Sequence, residues 1–384
     1  MKTHYLPLLS LLGLCACTTQ DDFSSPKYDT SDSVSTKLNV APQAQQKNLS
    51  IDIFRHLAAE TSGNIVFSPA SVEGALRTLK QGARGKTAAQ LSIVPDTKAA
   101  TKPTMAVEEA NGIFLHQGLT LKPGISADDI LSVEFGTDAA SNAISEWVDD
   151  KTHGFISDFQ PSSALAPNTQ MLLVNAVYLK EKWEDPFDKG DTETETFTEN
   201  NGKKHDVDMM HKTASMYYAA GVNWQAIALP YKSGGYFIAI LPKGDAHQFA
   251  ANLTPQLYHC IIKAVANGHK DIELGLPSFD IRTAPASLKS ALQGCGISHI
   301  FSDKADLSGF CDAPVFATDV MQQCRIKLDE EGTEAVAISE IPAWLLEDEQ
   351  PKPLKLTFDH PFIWIITEAD TNATPYFMGI YAHP

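Results

Sequence analysis

The sequence predicts an α+β fold built as one unit, and three observations carry that prediction. Residues 51–60 and 71–79 have helical apolar spacing, the second opened by Ser68-Pro69 and closed by Gly82. Residues 171–179 and 236–241 are short, dense apolar runs carrying Val, Ile, Phe and Tyr, which suits buried strands better than helices. Residues 354–366 and 375–382 read as two further strands, so the last residues are built into a sheet. No period of roughly 20–50 residues repeats. No interior linker is visible either, although residues 47–384 exceed the usual domain of about 100–200 residues.

The first residues read as an export segment. Lys2 supplies a positive start, residues 5–14 a short apolar run, and Leu14-Cys15-Ala16-Cys17 a processing site. The run is too short to span a bilayer as a helix. The processing site resembles a bacterial lipobox, which makes residues 1–16 a lipoprotein signal peptide and Cys17 the lipidated first residue. Cys15, in Leu12-Gly13-Leu14-Cys15, is the alternative acceptor, and an ordinary signal peptide with incidental cysteines is the plainer reading. Thr18-Thr19-Gln20-Asp21-Asp22 resembles the surface-export signals of some Gram-negative lipoproteins. The expected location is therefore the outer membrane with the protein exposed at the cell surface; a periplasmic face is the alternative. Residues 17–46 are rich in Ser, Thr, Asp, Gln and Lys, which predicts a flexible, lipid-anchored tether. By chain statistics it spans about 30 Å.

The formal net charge is −17 and no basic cluster occurs, which argues against nucleic acid or anionic lipid as partners. No second apolar run approaches a membrane span, so membrane attachment rests on the lipid alone. Cys260, Cys295, Cys311 and Cys324 lack metal-type spacing and are expected to be buried and structural; in an oxidising compartment they are able to pair, with no connectivity given by the sequence.

Between Asp329 and Ser339 the two faces of one segment carry opposite instructions. With period two, Thr333, Ala335, Ala337 and Ser339 fall on one side, all small, and Glu334, Val336, Ile338 and Glu340 on the other. Small alternate residues suit a strand that enters a packed body, where a bulky side chain costs about 1–3 kcal/mol. The competing reading is a helix capped by Thr333, since Ala and Glu favour helices; Pro342 and the β-branched Val336 and Ile338 oppose it. Spacing alone leaves both open.

The sequence carries no recognisable catalytic constellation. There is no Gly-x-Ser-x-Gly, no His-Glu-x-x-His, and the twelve histidines are scattered. Gly85-Lys86-Thr87 is like the end of a phosphate-binding loop, but Lys80 occupies the position of its opening glycine. Asp359-His360 reads as a structural pair, since Pro361 follows and no nucleophile is assigned. The chain is not expected to be an enzyme, and no cofactor or metal is implied.

Nine motifs then converge in order. They are Asn64-Ile65-Val66-Phe67-Ser68-Pro69-Ala70-Ser71; Leu79-Lys80-Gln81-Gly82-Ala83-Arg84-Gly85-Lys86-Thr87; Asn111-Gly112-Ile113-Phe114; Trp147-Val148 with Thr152 and Gly154; Val174-Asn175-Ala176-Val177-Tyr178 with Trp183; Leu274-Gly275-Leu276-Pro277-Ser278-Phe279; Glu331-Gly332-Thr333-Glu334-Ala335; Asp359-His360-Pro361-Phe362; and Phe377-Met378-Gly379. On these the sequence resembles the serpins over residues 47–384.

The resemblance implies three β-sheets, eight or nine helices and an exposed reactive-centre loop over about residues 332–353. It implies a suicide-substrate mechanism in which a target endopeptidase cleaves the loop and the loop's first half enters the large sheet as a new strand. Loop insertion in serpins is an established case of strand addition. The hinge is then Glu330, Gly332, Thr333, Glu334, Ala335, Ala337 and Ser339, and the sheet-opening region Ser68, Ser71, Asn175, Trp183 and Gln322. Counting along the loop places the reactive bond between Leu346 and Glu347, with Trp344 and Leu345 as alternates, because the segment from Glu330 to Pro361 is about four residues longer than usual.

Lys and Arg are absent between Lys327 and Lys352, and Lys352 precedes Pro353. The expected partner is therefore an elastase-like, chymotrypsin-like, subtilisin-like or cysteine protease with an apolar pocket, met by a monomer. Pro342 lacks an amide hydrogen for a central strand, which favours some leakage to hydrolysis. Gln322 stands where the family usually has histidine and is expected to alter sheet-opening energetics while still hydrogen-bonding. The alternative function is a non-inhibitory serpin acting as a binding or structural surface lipoprotein.

Overall fold

The computed structural model describes residues 48–96, 105, 107–123, 125, 129–157, 159–160, 165–333, 352–370 and 374–384. Helix α1 (Leu49–Glu60) begins before its apolar spacing because Asn48 caps it, accepting from the Ile51 amide. Strand β1 (Ile65–Phe67) leads into α2 (Pro69–Gly82), whose proline sits at the start, where no intrahelical donor is required. Helix α3 (Gly85–Leu91) follows. Thr87 in it is buried and accepts the Asp306 amide at 2.9 Å, so the Gly85-Lys86-Thr87 segment serves packing.

Strands β2 (Val107–His116) and β3 (Asp129–Val133) precede α4 (Asp138–Lys151), capped by Thr137. Then come β4 (Met171–Leu179) and β5 (Glu181–Lys182). An antiparallel meander follows: β6 (Thr192–Thr198), β7 (Lys204–Ala220), β8 (Trp224–Pro230) and β9 (Tyr236–Pro242). Helices α5 (Ala246–Ala251) and α6 (Pro255–Asn267) separate it from β10 (His269–Pro277), β11 (Phe279–Arg282) and β12 (Ala286–Ser287). Helix α7 (Lys289–Gly294) precedes β13 (Asp319–Leu328) and β14 (Gly332–Thr333), and β15 (Leu354–Thr357), β16 (Phe362–Thr367) and β17 (Phe377–Tyr381) complete the order.

These strands form three sheets, of nine, six and two strands. The large one runs β1-β17-β16-β9-β8-β7-β10-β15, with β6 beside β7; the six-stranded one runs β11-β13-β4-β2-β3, with β12 beside β13. Seven α-helices and two 3₁₀ turns lie among the described residues, against the eight or nine helices expected.

The predicted single strand over residues 354–366 is corrected to two. β15 joins the edge of the large sheet in parallel with β10, whereas β16 lies in its interior between β9 and β17. Pro361 lacks the amide hydrogen that a continuous ladder needs there. The Asp359 side chain instead accepts from His360 Nδ1 at 2.7 Å, and its carbonyl takes the Thr198 amide.

Both faces of β4 are buried, which explains its unbroken apolar run. Leu172, Val174 and Ala176 pack under α4 with Phe114, Ile144, Trp147, Val148 and Met321. Met171 and Leu173 face a second cluster with α1 and α2, and Val177 and Leu179 a third against the large sheet. Gly112 lets α4 settle on the sheet: a Cβ there would stand 2.9 Å from the Trp147 ring. The four cysteines are thiols with no disulfide; Cys260, Cys311 and Cys324 are buried as expected and Cys295 is half-buried.

Candidate functional site: the sheet seam and the loop hinge

The six-stranded sheet contains a seam. β4 and β13 are parallel and directly paired, Leu172 facing Asp319 through Val177 facing Cys324. Their outer neighbours, β2 on one side and β11 and β12 on the other, are antiparallel to them. A strand entering between β4 and β13 in the opposite direction would therefore replace one parallel ladder with two antiparallel ones, the slightly more stable arrangement per residue.

Beneath the seam the predicted sheet-opening residues gather. The Gln322 side chain accepts the Ser68 amide at 3.0 Å and donates to the Ser68 carbonyl at 3.2 Å. Asn175 donates to Asn111 Oδ1 at 2.7 Å and to the Ser71 carbonyl at 3.5 Å, and the Ser71 hydroxyl also reaches Asn111 Oδ1 at 3.4 Å. Gln322 thus hydrogen-bonds, as expected, but to the Ser68 main chain. Sequence reasoning placed Asn111 in a motif and missed it as the centre of this group; its register partner across the ladder is Asn175. Ser68 Oγ and Asn175 Oδ1 are buried and have no hydrogen-bond partner among the described residues. Cys324, at the edge of the group, has its thiol pushed up to about 12 by burial.

Trp183 does not join this group; it belongs to the hinge. After β13 the chain reverses in a tight turn in which the Asp329 amide donates to the Gly332 carbonyl at 2.9 Å. Gly332 has φ +147, a conformation that favours glycine, and a Cβ on it would lie 2.1 Å from the Glu181 carbonyl oxygen. β14 pairs antiparallel with β5, the continuation of β4, with Gly332 facing Lys182 and Thr333 facing Glu181. Thr333 is 2% exposed and lies in a strand, in agreement with the small inward face; the residues that a helix capped by it would occupy lie outside the described residues.

Main-chain and side-chain contacts fix this turn. The Trp183 amide donates to the Glu331 carbonyl at 3.0 Å, the Phe187 amide to the Glu330 carbonyl at 2.8 Å, and Trp183 Nε1 to the Asp329 carbonyl at 2.9 Å. Thr192 donates to the Glu330 carboxylate at 2.7 Å, and Lys189 pairs with Glu331 at 2.6 Å, a contact that raises the Lys189 pKa. Trp183 stacks on Tyr231 with centroids 4.7 Å apart and planes 4° from parallel. The Tyr231 hydroxyl lies 2.8 Å from Thr333 Oγ1.

Arg325, one residue beyond the run of β13 paired with β4, ties β13 to its outer neighbour. It forms two bonds to Asp280 on β11, at 2.9 and 2.6 Å, and lies 4.6 Å from the Phe155 ring, in the connection after α4. Glu334, Ala335, Ala337, Ser339 and Pro342, the residues expected at the reactive bond, Trp344, Leu345, Leu346 and Glu347, and Cys17 with the segment expected to be a tether all lie outside the described residues.

Comparison with known proteins agrees with this architecture. The family model described as Serpin (serine protease inhibitor) matches residues 44–384. A serpin-like protein of Thermococcus kodakarensis is 30% identical over 407 residues, covering 96% of this chain and 93% of its own. Human Serpin I2 is 28% identical over 376 residues, with 88% and 91% covered. Among solved structures, the thermophilic serpin tengpin in its native state matches with TM-score 0.77 and 23% identity, covering 91% of this chain and 96% of that one. Thyroxine-binding globulin in complex with thyroxine matches with TM-score 0.75 and 24% identity, covering 88% and 98%. The chain belongs to the serpin family, whose general activity is the inhibition of proteases.

Proposed function

We propose that this protein is a protease inhibitor of the suicide-substrate type, held at the cell surface by a lipid on Cys17. The observation that supports it best is the hinge. Gly332 and Thr333 lie paired with β5, the continuation of β4, and run in the direction that an added antiparallel strand requires.

On this reading a target endopeptidase attacks the Leu346 carbonyl, with Trp344 and Leu345 as the alternative positions. Its serine, or a cysteine, forms an ester or thioester with that carbonyl, and Glu347 leaves as a new amino terminus. Before water cleaves the ester, the segment from Thr333 onward enters between β4 and β13 and carries the enzyme with it. Because displacement of catalytic groups by about 1 Å costs roughly 10²-fold in rate, the acyl-enzyme persists. The lack of Lys and Arg between Lys327 and Lys352 favours an enzyme with an apolar specificity pocket. Residues 17–46 supply the reach, about 30 Å, that lets the domain stand clear of the outer membrane.

The test is to mix the protein with an elastase-like and a trypsin-like enzyme and look for a complex that survives denaturing electrophoresis. A complex with the first and none with the second is expected. Clean loop cleavage by every enzyme tried, without a complex, removes the inhibitory reading. Mass spectrometry of the released peptide identifies the bond. Loss of the protein from the membrane fraction on Cys17→Ala tests the anchor.

A further inference from the structure

We infer that Tyr231 is the positioning residue for the loop: its hydroxyl seats Thr333 at the head of the seam in the uncut molecule, so insertion starts from a docked hinge. The inference rests on the inhibitory reading for its consequence, but not for its geometry.

Tyr231 is itself rigidly held. It follows β8 directly, its amide donates to the Gly235 carbonyl at 2.8 Å, and it bridges Trp183 across the head of β5. One face of its ring is covered by Trp183, which in turn meets Phe187 and Phe237 edge-on at 6.3 and 5.8 Å. Tyr231 is 1% exposed. Among these rings, with the buried Glu181 opposite Thr333, its hydroxyl has Thr333 Oγ1 as its hydrogen-bond partner, and either oxygen is able to donate. Burial raises the phenol far above its ordinary pKa, so it stays neutral and the bond persists at any physiological pH.

A buried hydroxyl left without a partner is costly, so the pair resists separation. Docking Thr333 therefore holds Gly332 in its unusual conformation at the head of the seam. After cleavage, the first rung of the new strand already exists. Rapid insertion competes with hydrolysis of the acyl-enzyme, so the Tyr231 hydroxyl shifts that competition toward trapping. Its role is positional: it touches the loop and never the scissile bond.

The test uses Tyr231→Phe, which keeps the stacked ring, and Thr333→Val, which keeps the side-chain shape, with Thr333→Ser as the conservative rescue. The first measurement needs no protease. Amide exchange at Trp183 and Phe187 reports hinge docking, because their acceptors are the Glu331 and Glu330 carbonyls. Losing one net hydrogen bond predicts roughly threefold to tenfold faster exchange at these two amides in Tyr231→Phe and in Thr333→Val. The double variant should add little to either, and Thr333→Ser should match the parent. The second measurement is the stoichiometry of inhibition, which should rise in both single variants. Unchanged exchange at Trp183 and Phe187, or a stoichiometry that stays the same or falls, overturns the proposal. If the parent traps no protease yet exchange accelerates as stated, the seat stands and the inhibitory reading fails. If the parent traps protease and exchange is unmoved, the seat alone fails.

Discussion

Cutting the loop should make this protein more resistant to heat. The perturbation is limited proteolysis between Thr333 and Lys352, which frees the segment to enter the seam. A strand of about nine residues, running from Thr333 to the residue before Pro342, replaces one ladder by two and so adds about nine backbone hydrogen bonds. At ~0.5–1.5 kcal/mol each this is on the order of 10 kcal/mol. Side-chain burial along the inserted strand adds to this, and the entropy of ordering it, about 1–2 kcal/mol per residue, subtracts more, so the ladder term is the ceiling of the gain. Unfolding entropy of roughly 2.1 cal/mol/K per residue gives ~0.7 kcal/mol/K for residues 47–384, so the midpoint should rise, by at most about 14 °C. Calorimetry of intact and nicked samples at one scan rate, supported by urea titration, provides the measurement. Midpoints within about 3 °C of each other would refute the reasoning from ladder exchange.

Three further outcomes are expected. Thr333→Arg should convert inhibitor to substrate, because a charge would have to be buried unpaired beside Tyr231; undiminished complex formation on gels would contradict this. Gln322→Ala leaves the buried Ser68 amide and carbonyl without their side-chain partner and should destabilise the uncut protein by about 1–3 kcal/mol, lowering its thermal midpoint by roughly 3 °C. Arg325→Met should cost about 1 kcal/mol at pH 7, given a partly exposed ion pair and one cation–π contact. It should also flatten the acid limb of stability. Arg325 holds the Asp280 carboxyl below its ordinary pKa, so that contribution is full at pH 7 and fades as pH falls below about 4. Urea midpoints of both proteins at pH 7 and pH 3 provide the check, and equal acid losses would rule the pair out as the source.

The strands legible in the sequence were those buried on both faces. β4 and β9 were located almost to the residue, since packing on each side demands an unbroken apolar run. Residues 354–366 misled because Phe358 and Phe362 are both buried on either side of the break, so hydropathy continues where the ladder does not. The hinge face was legible at Thr333, where small size and period two coincide. The residues that receive it were not. Tyr231 and Thr333 are 102 positions apart, Asn111 and Asn175 64 apart, and Trp183 and Asp329 146 apart. No local pattern carries pairings of that range; Trp183 was found through the family motif alone, and its contacts to Asp329 and Tyr231 were not foreseen.

One edge of the nine-stranded sheet is stitched from distant parts of the polypeptide. Ile65 faces Ile380, and the Asn64 side chain receives the Ala382 amide across 318 positions. During translation β1 must wait for β17 to be made, so this edge closes only after Tyr381 has left the ribosome. Such late, non-local closure is intrinsically slow. A ribosome-bound fragment ending before Phe377 would leave both β1 and one side of β16 unpaired.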